Sequence, residues 1–571
     1  MAISKNESIL IVGAGVFGLS TALELTKRGY TNITVVDRYA PPAIDGSSVD
    51  ISRIIRIDYA DPVYCQMAAE AYQGWTTEYR DQYYESGFAL LSETPHNDWI
   101  AKSKATVLAN GRTVEDLDDA TELLKSYPNI QAKLSGMNGY LNRTGGWADA
   151  AGSIQKLASQ CSIAGISIIS GPWGTVNSLR RDGSRIVGAN LLSGGSITAS
   201  QVIVSTGAWT NQLLDVAHAA SSSGQPVGFI QLSPEEARSL ESTPVMINMS
   251  TGVFVFPPTP GSNILKLARH GYGYATEVTV QNDGTNRTIS SPKRDSSNAS
   301  TGYIPDDADE ALRDGLRRFF PKFADRPWMN RRLCWYTDTP KGDFIIDHHP
   351  NLQGLFVATG GAGHGFKFLP VLGKYIADCL ENKASPELRK KWRLDAPQGG
   401  AGDYIMTGDG SRAGPPLRKL SVSEQAKLEL RMISHDLPPT PRSPDGPLAA
   451  SFSLVPASTP KTPSTRRVYQ KSHKMGDAYE REQQNNALLH GLSSKVNVLR
   501  DLTIDIHDNA RNQETLDHTN DTFYSLGTNL KGSASRLTTM AKKGDTVAVL
   551  KVAGICIAVG FLVYIILGWI F

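Results

Sequence analysis

The chain opens on a short continuous apolar run, "ILIVG", then a glycine-rich turn, then a stretch in which Ala22, Leu25 and Gly29 fall at helix-packing positions. A second apolar run, "ITVVD", follows. This pattern predicts a buried strand, a tight turn, a helix and a second strand. Up to about residue 395 the chain keeps alternating β-like apolar runs, glycine turns and amphipathic helical stretches, which predicts an α/β fold. The pattern then breaks. Residues 396–465 are rich in Pro, Ser and Thr and poor in large apolar side chains, so they read as a disordered linker with one short helix around Ser423–Met432. From residue 466 the chain turns polar and helical. Leu492, Val496, Leu499, Thr503, Ile506 and Ala510 alternate spacings of four and three, and Leu516, Phe523, Leu530 and Leu537 recur every seven residues. Such a seam predicts a coiled coil within 466–546, with Gln513 a polar interruption in mid-seam. The remaining segment, 547–571, ends in the uncharged run Val552–Phe571. At about 1.5 Å per residue that run spans a hydrocarbon core of about 30 Å, which predicts one C-terminal transmembrane helix. Lys542, Lys543 and Lys551 precede it. The bulk of the chain is therefore expected on the cytosolic side, held by a tail anchor.

A length of 571 residues leaves room for several domains. The net charge of +2 gives no global attraction to nucleic acid, and none is expected as a partner. The five cysteines, Cys65, Cys161, Cys334, Cys379 and Cys556, are scattered and odd in number, which argues for a reducing compartment rather than a disulfide framework. No metal site is expected. The first chemistry lies in the opening turn, where Gly13, Gly15 and Gly18 give G-x-G-x-x-G between strand and helix. The first glycine permits the turn, the second lets backbone approach a pyrophosphate, and the third packs helix on strand. Asp37 ends the second strand, nineteen residues past Gly18, where a carboxylate accepts ribose hydroxyls. These residues predict a dinucleotide site without separating FAD from NAD.

Three later stretches separate them: "GSSVDISRIIRIDYADPVY" from Gly46, "LKLARHGYGYA" from Leu265, and "RRLCWYTDTPKGDFIIDHHPNLQGLFVATGGAGHGFKFLPVLG" from Arg331. With "QVIVSTGAWT" at 201–210, they closely resemble the flavoenzyme group of monomeric sarcosine oxidase, pipecolate/saccharopine oxidase and fructosyl amino acid oxidase, over roughly residues 8–393. The resemblance implies an FAD-binding Rossmann-like domain built from about 1–60, 140–215 and 335–393, and a mixed-sheet substrate domain from about 61–140 and 216–334. It implies FAD attached covalently through Cys334. It puts Lys266 over the flavin face as the cation that assists O2 reduction, and Arg53 beside the flavin ring. Arg56 and Lys367 match the pair that clamps a substrate carboxylate. The implied reaction is oxidation of a secondary or N-substituted amino acid to an imine, with O2 reduced to hydrogen peroxide. The sarcosine oxidases carry a histidine in the "GSS" loop where this chain has Val49, and the best local match is to the pipecolate/saccharopine type.

The stretches "HGLSSKVNVLRDLTIDIHDNARNQ" and "SASRLTTMAKKG", with an apolar tail behind them, resemble the small Qc-type SNAREs of ER–Golgi traffic. That resemblance implies assembly with three partner helices, Gln513 in the central polar layer, and residence on ER or Golgi membrane. Three readings of the whole chain stand side by side. It is a tethered amine oxidase, a SNARE with a catalytically idle oxidase-like domain, or two neighbouring reading frames joined as one.

Overall fold

The computed structural model describes residues 4–282, 285–294, 302–394 and 408–428. The chain divides into Met1–Thr440 and Pro441–Phe571, and all described residues belong to the first unit. The heptad seam, Gln513 and the apolar tail lie outside the described residues, as do residues 395–407 and 429–465. Among the described residues no helix is long and apolar enough to cross a membrane.

The opening pattern forms the elements it predicts. Ile9–Val12 (β1) is buried at every position, Val16–Lys27 is a helix (α1), and Ile33–Val36 (β2) pairs with β1 in parallel. They sit in a six-stranded sheet ordered Ile345–His348, Leu355–Thr359, Gln201–Val204, β1, β2, Ser167–Ile169. Every neighbouring pair is parallel except the first, which is antiparallel. A parallel sheet needs both faces covered, so its strands read as continuous apolar runs. Helices Ala150–Ile163 and Leu369–Leu380 pack with α1 through Leu25, Leu157, Leu372 and Ile376 in one apolar cluster. The approach of Leu369–Leu380 to α1 requires Gly373, because a Cβ there would stand 2.1 Å from the Ser20 carbonyl oxygen.

A second, mixed sheet of ten strands forms the other half. Its centre is Ser221–Gln231, which pairs antiparallel with both Ile264–Arg269 and Asn330–Asp338. The register sets Lys266 opposite Phe229 and Cys334 opposite Gln225. Helix Asp306–Phe319 covers this sheet with Ala308, Leu312, Leu316 and Phe319, spaced four, four and three, all fully buried.

Residues 408–428 fall inside the segment expected to be a disordered linker; a helix stands where the short one was expected around Ser423–Met432, and the structure differs in folding the residues ahead of it as well. Arg418–Lys419 adds a strand beside Tyr274–Ala275, and Val422–Lys427 is a helix with a capping box between Ser421 and Glu424. Ahead of that strand, Arg412 makes a buried ion pair with Asp338, both side chains 2% exposed. The segment is held by specific polar bonds and little apolar periodicity, so composition alone reads it as linker.

Candidate functional site

One cleft runs between the two sheets, and its described lining includes Gly13, Gly15, Asp37, Arg53, Arg56, Lys266, Cys334 and Lys367. Eight of the nine oxidase residues singled out from the sequence therefore line it together. The ninth, Gly18, lies behind the turn. A Cβ on Gly18 would sit 1.8 Å from the Gly13 carbonyl oxygen, so α1 closes on β1 only with glycine there.

The nucleotide end is built by the β1–α1 turn. Gly13 holds φ at +113°, a conformation that favours glycine. The N-cap residue Gly15 has no side chain, the Ser48 hydroxyl accepts the Val16 N–H at 3.0 Å, and no acid occupies the first turn, so the positive end of the α1 dipole carries no counter-charge of its own. Asp37 accepts the Ala14 N–H at 2.7 Å on Oδ2 and the Arg38 N–H at 2.6 Å on Oδ1. Each oxygen keeps a lone pair for a hydroxyl. Burial raises the Asp37 carboxyl, and these backbone bonds oppose the rise. The bare turn, the acid-free helix N-terminus and the carboxylate fit an FAD pyrophosphate and ribose.

Deeper in, Lys266 is 1% exposed on its apolar strand, and an ammonium there needs a counter-ion. Asp50 supplies it. Lys266 Nζ is 2.9 Å from Asp50 Oδ2 and donates to the Ser52 carbonyl at 2.6 Å. Arg53 and Arg332 reach the same carboxylate oxygen, Arg332 at 3.1 Å. Burial alone would raise Asp50, but the charges of Lys266, Arg53 and Arg332 hold it far below the usual carboxylate range. Burial, with Arg53 adding to it and Asp50 opposing, pushes Lys266 down to about 7. Arg53 also donates to the Ser47 carbonyl at 3.0 Å and to Cys334 Sγ at 3.4 Å. It is thus both a salt-bridge partner and a neighbour of the candidate attachment sulfur.

Arg56 lies over Tyr59 at 4.6 Å and near Trp99 at 5.3 Å. Its Nη1 is buried with no hydrogen-bond partner among the described residues. Lys367 Nζ, 5.4 Å above the same Tyr59 ring, donates to the His364 carbonyl at 3.1 Å. Burial and the Arg56 charge push Lys367 well below its ordinary value. Behind Arg56, Asp58 accepts from Asn142 at 2.9 Å and balances the guanidinium.

Several cleft residues were not singled out from the sequence: Asp50, His270, His364, Asp409 and Arg412, of which Asp50 supports the lining from behind. His364 Nε2 donates to the Gly342 carbonyl at 2.7 Å, so its Nδ1 accepts from the Tyr59 hydroxyl at 3.0 Å. Burial and Lys367 hold His364 down at about 3. His270 Nε2 is 3.0 Å from the Ser411 hydroxyl, and burial and Arg412 hold it neutral. The "GHGF" motif carried a signal for His364. Asp409 and Arg412 carried none, because their segment reads as linker.

Residues 8–379 match the family model for FAD dependent oxidoreductases, and residues 484–545 match that of the Sft1/BET1 SNARE domain. L-saccharopine oxidase of Schizosaccharomyces pombe is 32% identical over 406 residues, covering 68% of this chain and 93% of that protein. Monomeric sarcosine oxidase of an Arthrobacter species is 25% identical over 386 residues, covering 66% and 93%. The solved structure of fructosyl peptide oxidase from E. terrenum superposes with a TM-score of 0.66 at 28% identity, covering 73% of this chain and 97% of that one.

Proposed function

The chain belongs to the FAD dependent oxidoreductase family, and from that premise we propose that its cleft oxidises the C–N bond of a secondary or N-substituted amino acid. The observation that carries this reading is the pair Arg56 and Lys367. A half-buried guanidinium whose Nη1 is buried without a hydrogen-bond partner among the described residues, beside a buried lysine, is costly unless an anion completes it. A substrate carboxylate is that anion, and two cations fix its orientation as well as its charge.

Gly13, Gly15 and Asp37 would hold FAD, with Cys334 as the point of covalent attachment. Bound FAD supplies the two-electron chemistry that turns the amine into an imine and O2 into hydrogen peroxide. The chain's own residues do the rest. Arg56 and Lys367 seat the carboxylate, Asp58 lies behind Arg56, and Tyr59, its hydroxyl raised by burial, donates a hydrogen bond to neutral His364. Lys266 holds a proton where negative charge develops on oxygen, and Asp50 keeps that proton in place.

For the C-terminal part, the SNARE-domain match supports assembly with three partner helices on a trafficking membrane, Gln513 lying in the central layer, and the uncharged run Val552–Phe571 supports 547–571 as the anchor. Each half matches a separate family, which also supports the reading of two joined frames. The folded segment ending at 428 narrows that junction to residues 429–483, and abundant transcripts spanning those codons would remove that reading.

The oxidase reading is tested by mixing purified full-length protein with a panel of N-methyl amino acids. Flavin bleaching without oxygen, then hydrogen peroxide on its admission, is expected. A protein that binds flavin but is bleached by no member of the panel overturns it.

A further inference from the structure

Strand Ser221–Gln231 is flanked on one side by Ile264–Arg269 and on the other by Asn330–Asp338. The registers set Lys266 level with Phe229 and Asn330, and Ala268 level with Val227 and Arg332. Side chains alternate between faces along a strand, so Lys266, Arg332 and Cys334 belong to one face of the sheet. The 47–52 loop brings a single carboxylate against that face. Asp50 Oδ1 accepts the Ile51 N–H at 2.8 Å. Its Oδ2 meets Lys266 Nζ at 2.9 Å, Arg332 Nη2 at 3.1 Å and Arg53 Nη1. Three cationic donors crowd one oxygen with two lone pairs, so none has the anion to itself. Among the described residues no other carboxylate pairs with any of the three, and positive charge is left in excess. Arg332 is buried and is not among the described residues lining the cleft. It reaches the site through Asp50 and has no part in the reaction described above.

We propose that Arg332 is a positioning residue that sets how firmly Lys266 keeps its proton, by taking a share of the carboxylate that holds it. This rests on the reading of Lys266 as the cation presented to oxygen, and deepens it. The charged groups that face Lys266 are Asp50 and Arg53, from the 47–53 stretch, and Arg332, from the strand that carries Cys334. The Ser52 carbonyl and the Phe256 ring, 4.8 Å away, add no charge. Arg332 acts against the ammonium twice, repelling it as a like charge and competing for the Asp50 oxygen. Burial starts the fall of Lys266 to about 7, and Arg53 and Arg332 add to it. Lys266 thus loses its proton near neutrality, where a lysine with Asp50 to itself would keep it.

The test uses full-length holoenzyme and reads the absorbance of the resting, oxidised flavin from pH 5 to 9, because a charge lost beside the ring shifts its absorption band. The wild type is expected to show a step at about pH 7, and K266M none. R332M should raise the midpoint by about one pH unit, the effect of removing one nearby like charge. At pH 8 that shift should also speed flavin reoxidation by O2 roughly fivefold, in proportion to the protonated fraction. R332K keeps the charge and should stay near the wild-type midpoint; R332Q repeats the loss of charge if R332M does not fold. A midpoint unmoved or lowered in R332M or R332Q overturns the proposal. So does an equal shift in R332K, or a step that persists in K266M. K266M that reoxidises as fast as the wild type overturns the oxygen role of Lys266 alone, because the optical step reports its proton without turnover.

Discussion

Replacing Asp50 with Asn keeps the shape of the side chain and removes one charge from a buried group of four. Lys266 Nζ stands 2.9 Å from its Oδ2, and at an effective dielectric near 20 a pair at that distance is worth roughly 6 kcal/mol. If even half of this is lost, the Lys266 pKa drops by about two units, at about 1.4 kcal/mol each. Arg53 and Arg332, left without their anion, push in the same direction. Starting from about 7, Lys266 would titrate near roughly 5 in the variant. At pH 8 its charged fraction would fall from about one tenth to about one thousandth. If the ammonium is what accelerates O2 reduction, flavin reoxidation at pH 8 should slow by roughly 10²-fold, the scale of one fixed charge at a developing anion. The sign follows from the lysine being active when protonated. Wild-type reoxidation should fall as pH rises through about 7, and the D50N profile should show the same fall about two pH units lower. Stopped-flow mixing of reduced enzyme with oxygenated buffer from pH 5 to 9 measures both. A D50N rate at pH 8 within threefold of wild type, with an unmoved midpoint, refutes the coupling of Asp50 to Lys266.

The link through Cys334 predicts that acid precipitation leaves the yellow colour on wild-type protein and releases it from C334A; wild-type flavin that washes out in acid rejects the bond. R56A and K367A should each raise KM for carboxylate-bearing amines by roughly 10²-fold, since truncating one member of a buried charge cluster typically costs 2–5 kcal/mol, while reoxidation by O2 stays unchanged; a slowed reoxidation would place them elsewhere. Residues 466–571 should gain helicity and enter a four-helix complex with two Q-type partners and one R-type partner. L499D, I506D or F523D should block that assembly by burying an unpaired charge, and Q513L should disturb register more than stability; a segment that stays monomeric with every partner set ends the SNARE reading.

The nucleotide end of the cleft was legible because its logic is local. Gly13, Gly15 and Gly18 lie within six residues, and the strand that carries Asp37 is the next element. Lys266 was legible as an oddity, an ammonium in the apolar run "ILKLA". Its counter-ion was not, because Asp50 meets it only after the chain has travelled 216 residues and folded a strand of the second sheet against the 47–52 loop. "VDISR" gives no sign that its acid is a hub for three cations. Arg56 was found by resemblance, and only the structure shows Asp58 and Tyr59 behind and beside it. The heptad seam rests on periodicity and on the family match to 484–545, and the apolar tail on its uncharged sequence alone, since both lie outside the described residues.

The segment 408–428 decides where the oxidase stops. Sequence pattern puts its end near 395, and the family match ends at 379. Yet Arg412 is the ion-pair partner of Asp338, 1% exposed on the strand that also carries Cys334. Asp338 also accepts from the Ser223 hydroxyl on the neighbouring strand, so it braces the sheet that forms one wall of the cleft. A chain cut at 395 leaves that carboxylate buried with its cation gone, a loss of about 3–5 kcal/mol by comparison with other broken buried pairs. It also removes Asp409 and Ser411 from the lining and uncovers the edge of Tyr274–Ala275. Residues 1–395 should therefore melt well below residues 1–440, by several degrees or more for a domain of this size, and should bind amino-acid substrates poorly even where flavin is retained. Thermal unfolding of the two truncations under identical flavin loading measures the difference. Coincident melting curves and equal substrate affinity would mean that the segment is a passenger on the oxidase and no part of its cleft.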